Sequence, residues 1–429
     1  GLYAMNFNTN AKINQVTEDT LVIGIDIAKR KHYACAVDDR GRVLRKPFPL
    51  AQSLEGFACF YQELLTLQNK HDKSHMLVGF EPTGHYWMNL AAYLTAHDIP
   101  YVMVNPMHVK KSKELDDNLQ TKNDAKDAMV IAKLIRDGRF SFPRILEGVE
   151  ADLRNGANMR AILQQEIIRV KNRMIKWLDS YFPEFQLIFK DFGKNALAIL
   201  NKTPFPADIR SKSFEELLLL YKEDTDLKYV SSTKVKQIKQ AAEATIALST
   251  GLDTARTVIE MLLAQYKLYT HQYEMLAEKL EQIVQDLPEY AFILSIPGVG
   301  PNTAIEIISE VGSFSNYNNP RQIIKLAGLT LRENSSGEQK GQKKISKRGR
   351  RRLRASLFRA ALPTSRYNSA FKALYTYYIE RPENPLKKKE AMVVLCGKLL
   401  KIIHGLCKNK QYFDANQMMK DIPVLQATA

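Results

Sequence analysis

The sequence predicts a mixed α/β domain over its first third, followed by a chain that is mostly helical. Five short apolar runs rich in β-branched residues lie between residues 21 and 105, and helical patterns separate the later ones. Beyond residue 150, apolar residues instead recur at alternating intervals of four and three, which is the helical heptad pattern. The 429 residues are enough for roughly two to four domains.

The first three predicted strands follow one another directly, with turn residues between them. They are the runs LVIGIDI (21–27), KHYACAV (31–37) and RVLRK (42–46). A helix from about Ser53 to Asn69 precedes the fourth strand, HMLVGFE (75–81), and a second helix precedes the fifth, PYVMVN (100–105). The order β-β-β-α-β-α-β is that of an RNase H-like (RuvC-like) domain, which is the fold class we expect here.

Two heptad segments mark the middle of the chain, one from Leu163 to Tyr181 and one from Leu262 to Leu287. This spacing predicts either a helical hairpin within the chain or a coiled coil between protomers, and the pattern alone leaves both open. The stretch between them, 191–249, contains helical pieces without a clear pattern, and the sequence assigns it no role.

A third, mainly helical region begins near Tyr290. The run IPGVGP places a Gly-Val-Gly turn between two apolar helical pieces, like a helix-hairpin-helix unit whose backbone N–H groups face a phosphate. An ordinary tight connection between helices would give the same pattern. We expect the tail after Gln411 to be unstructured. The expected domains are 20–145, 150–288 and 290–410.

Positive charge is concentrated in this third region. The chain carries a net charge of +16, and segment 340–354 holds nine lysines or arginines and no acid. Such a cluster favours a nucleic-acid contact whose affinity falls steeply with salt, because bound cations release counterions from phosphates. The candidate nucleic-acid-binding residues are Lys343, Lys344, Lys347, Arg348, Arg350, Arg351, Arg352 and Arg354, which we do not expect to be all paired internally.

Other classes of protein are disfavoured. The four cysteines match neither a zinc site nor a disulfide framework, which is typical of a reducing compartment. No uncharged apolar run reaches the ~18 residues of a membrane span. We therefore expect a cytoplasmic, nucleoid-associated protein with no membrane partner.

Four carboxylates suggest a metal site in the first domain. Asp26 ends the first strand and Glu81 ends the fourth, and these strands are neighbours in the expected sheet. Asp124 and Asp127 are three residues apart on a helix and so share one face. An all-carboxylate set suits Mg²⁺ or Mn²⁺ rather than zinc, and two such ions can act on a phosphodiester. Taken singly, an acid at a strand end is more often a turn or cap residue, and Asp124 could simply be a helix N-cap with Asp127 as the favourable acid at N3.

The motifs in which these acids lie resemble a known family. GIDIAK, GFEPTGHY and NDAKDA resemble the DEDD-type transposases of insertion sequences, a class that includes bridge-RNA-guided recombinases and pilin-gene inverting recombinases. IPGVGP and AGLTLRENSSG…ISKRGRRRLR resemble the second domain of that family. The resemblance implies that Asp26, Glu81, Asp124 and Asp127 form the DEDD tetrad. Asn123 stands where the family usually has Thr, which affects only the local cap.

The same resemblance implies a second catalytic element. The family's nucleophilic serine falls on Ser336, before Gly337, although the adjacent Ser335 leaves the choice between them open. By itself, a serine in a polar, glycine-containing loop is typical of a turn. The resemblance further implies strand exchange through a serine–DNA link, a guide (bridge) RNA, and a homo-oligomer, either dimer or tetramer.

Two rival functions remain open from sequence. A metal-only nuclease or transposase would need the four acids and no serine. A non-catalytic nucleic-acid-binding protein would need only the fold and the positive charge. The four acids disfavour the second rival, since a scaffold has no chemical reason to hold them together.

Overall fold

The computed structural model describes residues 9–116, 124–143, 148–332, 335–336, 339–340 and 344–422. The chain divides into two compact units, Gly1–Ile145 and Leu146–Ala429. None of the helices in the described part of the chain is long and apolar enough to cross a membrane.

The first unit is a mixed five-stranded sheet with helices. Its strands are β1 (Thr20–Asp26), β2 (Lys31–Val37), β3 (Val43–Ala51), β4 (His75–Phe80) and β5 (Tyr101–Met103). Its helices are α1 (Thr9–Ile13), α2 (Leu54–Lys70), α3 (Trp87–Ala96), α4 (Pro106–Asp116) and α5 (Asp124–Arg136). The strand order is β3-β2-β1-β4-β5, with β1 and β4 parallel and β1, β2 and β3 antiparallel. The predicted five strands, and the adjacency of the first and fourth, are confirmed.

Both faces of this sheet are covered, which explains why its central strand reads as a continuous apolar run. On one face, Leu21, Ile23 and Ile25 of β1 lie in the core formed with α2 and α3. On the other, Val22 lies in the core formed with α5. Ser53 caps α2 by accepting a hydrogen bond from the Gly56 N–H at 3.0 Å.

Strand β3 is longer than expected. The sequence predicted a strand ending near Lys46, but β3 continues to Ala51 through Pro47 and Pro49. Proline cannot donate to a neighbouring strand, so within sheets it is confined mainly to edges. Because β3 is the edge of this sheet, the two prolines are tolerated there.

The second unit is mostly helical. Its first half comprises α6 (Gly148–Tyr181), α7 (Phe185–Ile188), α8 (Lys194–Lys202), α9 (Pro206–Arg210), α10 (Phe214–Lys222), α11 (Ser232–Glu243) and α12 (Leu252–Val284). Its second half comprises α13 (Pro288–Leu294), α14 (Pro301–Val311), α15 (Pro320–Leu326), α16 (Arg351–Tyr367), α17 (Ser369–Glu380), α18 (Lys388–Asn409) and α19 (Ala415–Asp421). The described residues between α15 and α16 include four two-residue strands: β6 (Leu331–Arg332), β7 (Ser335–Ser336), β8 (Gln339–Lys340) and β9 (Lys344–Ile345).

The two heptad helices pair within the chain. Trp177 near the end of α6 donates a hydrogen bond to the Ala255 carbonyl near the start of α12, at 2.9 Å. Gly156 near the start of α6 packs against Leu280 near the end of α12. The helices are therefore antiparallel, as the intrachain alternative required. Helices α7–α11 pack against this pair around their own apolar core.

The C-terminal tail is more ordered than expected. Helix α19 follows Asp414, whose side chain accepts from the Asn416 N–H at 2.9 Å. Met418 is buried in the core shared with α18. The prediction of an unstructured tail after Gln411 was wrong up to Ile422, because one buried methionine is too weak a signal to reveal a short helix in sequence.

Candidate active site

Asp26 and Glu81 come together because their strands are parallel neighbours. Ile25 of β1 lies opposite Phe80 of β4, so the next residue of each chain, Asp26 and Glu81, leaves the same end of the sheet. Both acids are half-buried. The Thr83 hydroxyl donates to Glu81 Oε1 at 2.8 Å and orients that carboxylate.

Helix α5 brings the other two acids to the same place. It packs directly on β1 at Gly24, where a Cβ would lie 2.2 Å from the backbone nitrogen of Ala132. Glycine at this position is thus what allows the helix to approach the strand so closely. Asp124 and Asp127 occupy the first turn of α5, and Asp127 is buried, with 6% of its surface exposed.

The charges of the four acids act on one another. Burial and, in decreasing order, the carboxylates of Asp127, Asp124 and Glu81 together raise the pKa of Asp26 to about 7, while Lys113 opposes them. Like charges gathered at a half-buried point disfavour ionisation, which is the electrostatic signature of many functional sites. The four sequence-predicted acids are therefore electrostatic neighbours.

Lys113 also belongs to this acidic cluster, although the sequence did not predict it. It lies on α4, and its ammonium forms an ion pair with Oδ2 of Asp127. The other oxygen of that carboxylate, Oδ1, is buried and has no hydrogen-bond partner among the described residues. A buried carboxylate oxygen without a partner costs stability, so it is open to a ligand that supplies positive charge.

The donor set fits a hard divalent cation. Carboxylate oxygens are the ligands that Mg²⁺ and Mn²⁺ prefer, and the unpartnered Oδ1 of Asp127 is a ready ligand atom. Among the residues that the structure describes, no three Asp, Glu, His or Cys side chains already stand around one point as metal ligands would. Two of these carboxylates are turned to other partners, Asp127 to Lys113 and Glu81 to Thr83.

A partly buried chain of hydrogen bonds connects the segments that follow the two acidic strands. The Ala28 N–H, just after β1, donates to His32 Nδ1 at 3.0 Å, so His32 Nε2 carries the proton and donates to Gln52. Gln52 in turn donates to the Tyr86 carbonyl, after β4, at 3.0 Å. Burial lowers the pKa of His32, which keeps the ring neutral and the chain intact. The sequence offered no signal for it, because His32, Gln52 and Tyr86 are far apart along the chain.

Two family models match the chain over different stretches. A DEDD transposase domain of the IS110 group matches residues 23–183, which include the four acids. The model described as "Transposase IS116/IS110/IS902 family" matches residues 290–376, which include the serine motif and the basic segment. The chain belongs to the IS116/IS110/IS902 family of transposases.

Relatives match over nearly the whole chain. The 44.8 kDa protein of insertion element IS116 from Streptomyces clavuligerus is 24% identical over 92% of this chain and 96% of its own. The transposase for insertion sequence element IS1111A from Coxiella burnetii is 22% identical over 80% and 78%. A pilin gene-inverting protein from Moraxella bovis is 24% identical over 91% and 97%. The protein is therefore an enzyme of DNA transposition.

The serine motif of this transposase lies in its second unit, on a short hairpin. Ser335 pairs with Lys340 and Ser336 with Gln339, in the antiparallel strands β7 and β8. Gly337, the second residue of the predicted Ser-Gly motif, lies outside the described residues.

The basic segment of the transposase divides into two groups. Arg350 contacts Glu310 at 3.2 Å, Arg352 donates to the Ala157 carbonyl at 2.8 Å, and Arg354 donates to the Ala327 carbonyl at 3.0 Å. The side chains of these three arginines therefore bind other groups of the protein. The sequence alone did not predict these contacts. The exposed members are Lys344, Lys347, Arg348 and Arg351, while Lys343 lies outside the described residues.

The Gly-Val-Gly turn joins α13 to α14, and its first glycine has a packing role. Gly298 has a φ of +98°, and a Cβ there would lie 2.6 Å from the backbone nitrogen of Thr364 in α16. Gly300, by contrast, caps α14 with no atom near its Cβ position. The tight-connection alternative therefore accounts for Gly298, and the helix-hairpin-helix alternative stays a prediction for the open end of α14.

Proposed function

We propose that this transposase cleaves and exchanges DNA strands with a DEDD site on an RNase H-like (RuvC-like) domain, residues 20–145. The tetrad is Asp26, Glu81, Asp124 and Asp127. The observation that carries the proposal is the charge crowding at Asp26, whose pKa is raised by burial and by the three other acids. Crowded carboxylates do not stabilise a fold, whereas a site for divalent cations requires them.

Mg²⁺ or Mn²⁺ is the proposed cofactor of this site. Asp26 and Asp127 would hold it from the sheet and from α5, with Glu81 and Asp124 completing the acidic set. When bound, divalent cations supply positive charge at the attacking and leaving oxygens of a phosphodiester.

Ser336 is the proposed nucleophile, on a C-terminal transposase domain of residues 290–410. Its hydroxyl oxygen would give up its proton and bond to the phosphorus, while the bond from phosphorus to the leaving sugar oxygen breaks and that oxygen takes up a proton. The resulting serine–DNA phosphodiester conserves the bond for rejoining to another strand. Support comes from the family match over this region and from the Ser-Gly sequence.

Covalent attachment tests this step. Full-length protein would be incubated with its element-end DNA, Mg²⁺ and RNA copied from the flanking element, then denatured and digested so that the adduct can be mapped. We expect an adduct at Ser336 that is absent in Ser336→Ala and kept in Ser335→Ala. Metal-dependent cleavage by Ser336→Ala without an adduct would contradict the serine step and favour the metal-only mechanism.

The exposed cations of the basic segment are the proposed nucleic-acid contact. Lys344, Lys347, Arg348 and Arg351 would bind phosphates of the DNA and of a guide (bridge) RNA, together with Lys343. The three arginines with partners inside the protein (Arg350, Arg352 and Arg354) would instead stabilise this surface through those contacts. Support for RNA rests on the resemblance and on charge, so the test is whether RNA copied from the element is required for cleavage.

A homo-oligomer, dimer or tetramer, is also proposed. Residues 150–288 would form the helical region between the two catalytic domains. Helix α12 leaves Met261, Leu268 and Met275 exposed at intervals of seven, and this apolar stripe supports an oligomer. Sedimentation velocity on the full chain tests the prediction.

A further inference from the structure

The ammonium of Lys113 lies beside the carboxylate of Asp127, where a metal cation would be expected to bind. Its ammonium meets Oδ2 of Asp127, and the side chains of these two residues are 28% and 9% exposed. The ammonium comes from α4, whereas the acid belongs to α5. The remaining oxygen of Asp127, Oδ1, has no hydrogen-bond partner among the described residues. One oxygen of this carboxylate is thus paired with Lys113, and the other is available to a further ligand.

The need for a cation at this point follows from the charges around it. Four acids lie close enough to act on one another electrostatically: Asp26, Glu81, Asp124 and Asp127. Lys113 brings a positive charge to this acidic cluster. Without a cation, a carboxylate as buried as Asp127 would be strongly unfavourable. A lysine suits a replaceable counter-ion, because its ammonium is a compact point charge on a flexible stem that can swing toward solvent.

We infer that Lys113 is a built-in counter-ion that neutralises Asp127 in the metal-free protein and gives up its place when a divalent cation binds. The inference rests on the proposed metal site. It makes Lys113 a competitor of the metal, and so a residue that sets the metal concentration at which the enzyme becomes loaded. It also links metal loading to release of the Asp127 contact of α4.

Thermal unfolding of the full chain against Mn²⁺ concentration tests this without measuring activity. The variants are Lys113→Gln, which removes the charge, Lys113→Arg, which keeps it, and Lys111→Gln, an exposed control on the same helix. We expect Lys113→Gln to lower the Tm in EDTA by about 2–4 °C. We also expect it to lower the Mn²⁺ concentration at half-effect by about tenfold. Lys111→Gln should change neither quantity, and Lys113→Arg should leave the half-effect concentration near the wild-type value.

The possible failures are distinguishable. An unchanged or higher half-effect concentration in Lys113→Gln, with Asp127→Asn abolishing the Mn²⁺ response of the wild type, would overturn the counter-ion role and leave the metal site standing. A wild-type Tm that does not respond to Mn²⁺, or responds equally in Asp127→Asn, would overturn the proposed metal site and the inference with it.

Discussion

The tetrad acids of the first unit and the acids of helix α14 in the second unit have opposite electrostatic surroundings. In the first, Asp26 lies among three other carboxylates, and Lys113 alone among its named electrostatic neighbours opposes them. In the second, the acids of α14 face arginines: the buried Glu310 meets Arg350 at 3.2 Å, and the half-buried Glu306 contacts Arg359. The residue types are the same, but like charges gather in the tetrad and opposite charges pair at α14.

This contrast separates chemistry from architecture. An acid paired with arginine joins helices, as Glu310 joins α14 to the segment that begins α16, and its loss should be felt as instability. An acid crowded by other acids weakens the metal-free fold and is explained by what it binds. Substitutions of the four tetrad acids should therefore cost activity and spare the fold, whereas substitutions of the α14 acids should do the reverse.

The largest effect is expected from Asp127→Asn. Removing one carboxylate charge from the tetrad should lower Mg²⁺-dependent cleavage of element-end DNA by about 10³-fold or more, since transition-state charge stabilisation would be lost. The matched control is Asp19→Asn, at an exposed acid before β1. Cleavage by Asp127→Asn within tenfold of the control would contradict the catalytic role of this acid.

Glu310→Gln should act on stability. It leaves Arg350 without its ionic partner beside a buried amide, and breaking such a pair costs about 3 kcal/mol. Urea unfolding of the full chain measures this, with Glu278→Gln on the exposed face of α12 as control. Equal stability of the two variants would show that the α14 acids do not hold this unit together.

The position of α5 should depend on Gly24. An added methyl group would lie 2.2 Å from the backbone of Ala132, so Gly24→Ala should push the helix outward and cost about 2 kcal/mol. Asp124 and Asp127 would move with it, so the Mn²⁺-induced rise in Tm should shrink as well. Gly193→Ala, where the added carbon meets no atom within 4 Å, should leave both quantities nearly unchanged.

Much of the first unit could be predicted from its sequence. Its central strands are apolar runs with acids at their ends, and the pairing of β1 with β4 follows from the strand order. Lys113 could not be predicted, because α4 has no marked apolar face and its lysines look alike in sequence. The partner of Arg350 was equally hidden, since Glu310 lies forty residues upstream in a helix that reads as apolar core.

The smallest expected effect is the pH dependence of stability at Asp26. Its folded-state pKa of about 7 lies above its ordinary 3.8, so the stability it contributes is present at low pH and is lost as pH rises through 7. Asp26→Asn has no such loss. In EDTA, the free energy of unfolding of the variant relative to the wild type should therefore rise between pH 5 and pH 8. The expected rise is about 1–2 kcal/mol after solvent screening.

Urea unfolding at the two pH values measures this gain. Asp19→Asn should differ from the wild type by the same amount at both. A gain for Asp26→Asn that does not grow with pH would contradict the charge crowding at this position.

Binding of Mn²⁺ to the full chain, followed by electron paramagnetic resonance, tests most directly whether the four acids form one metal site. We expect saturable binding in the wild type, unchanged binding in Asp19→Asn, and lost or strongly weakened binding in each of Asp26→Asn, Glu81→Gln, Asp124→Asn and Asp127→Asn. Equal amounts of bound Mn²⁺ in the wild type and all four tetrad variants would contradict this expectation.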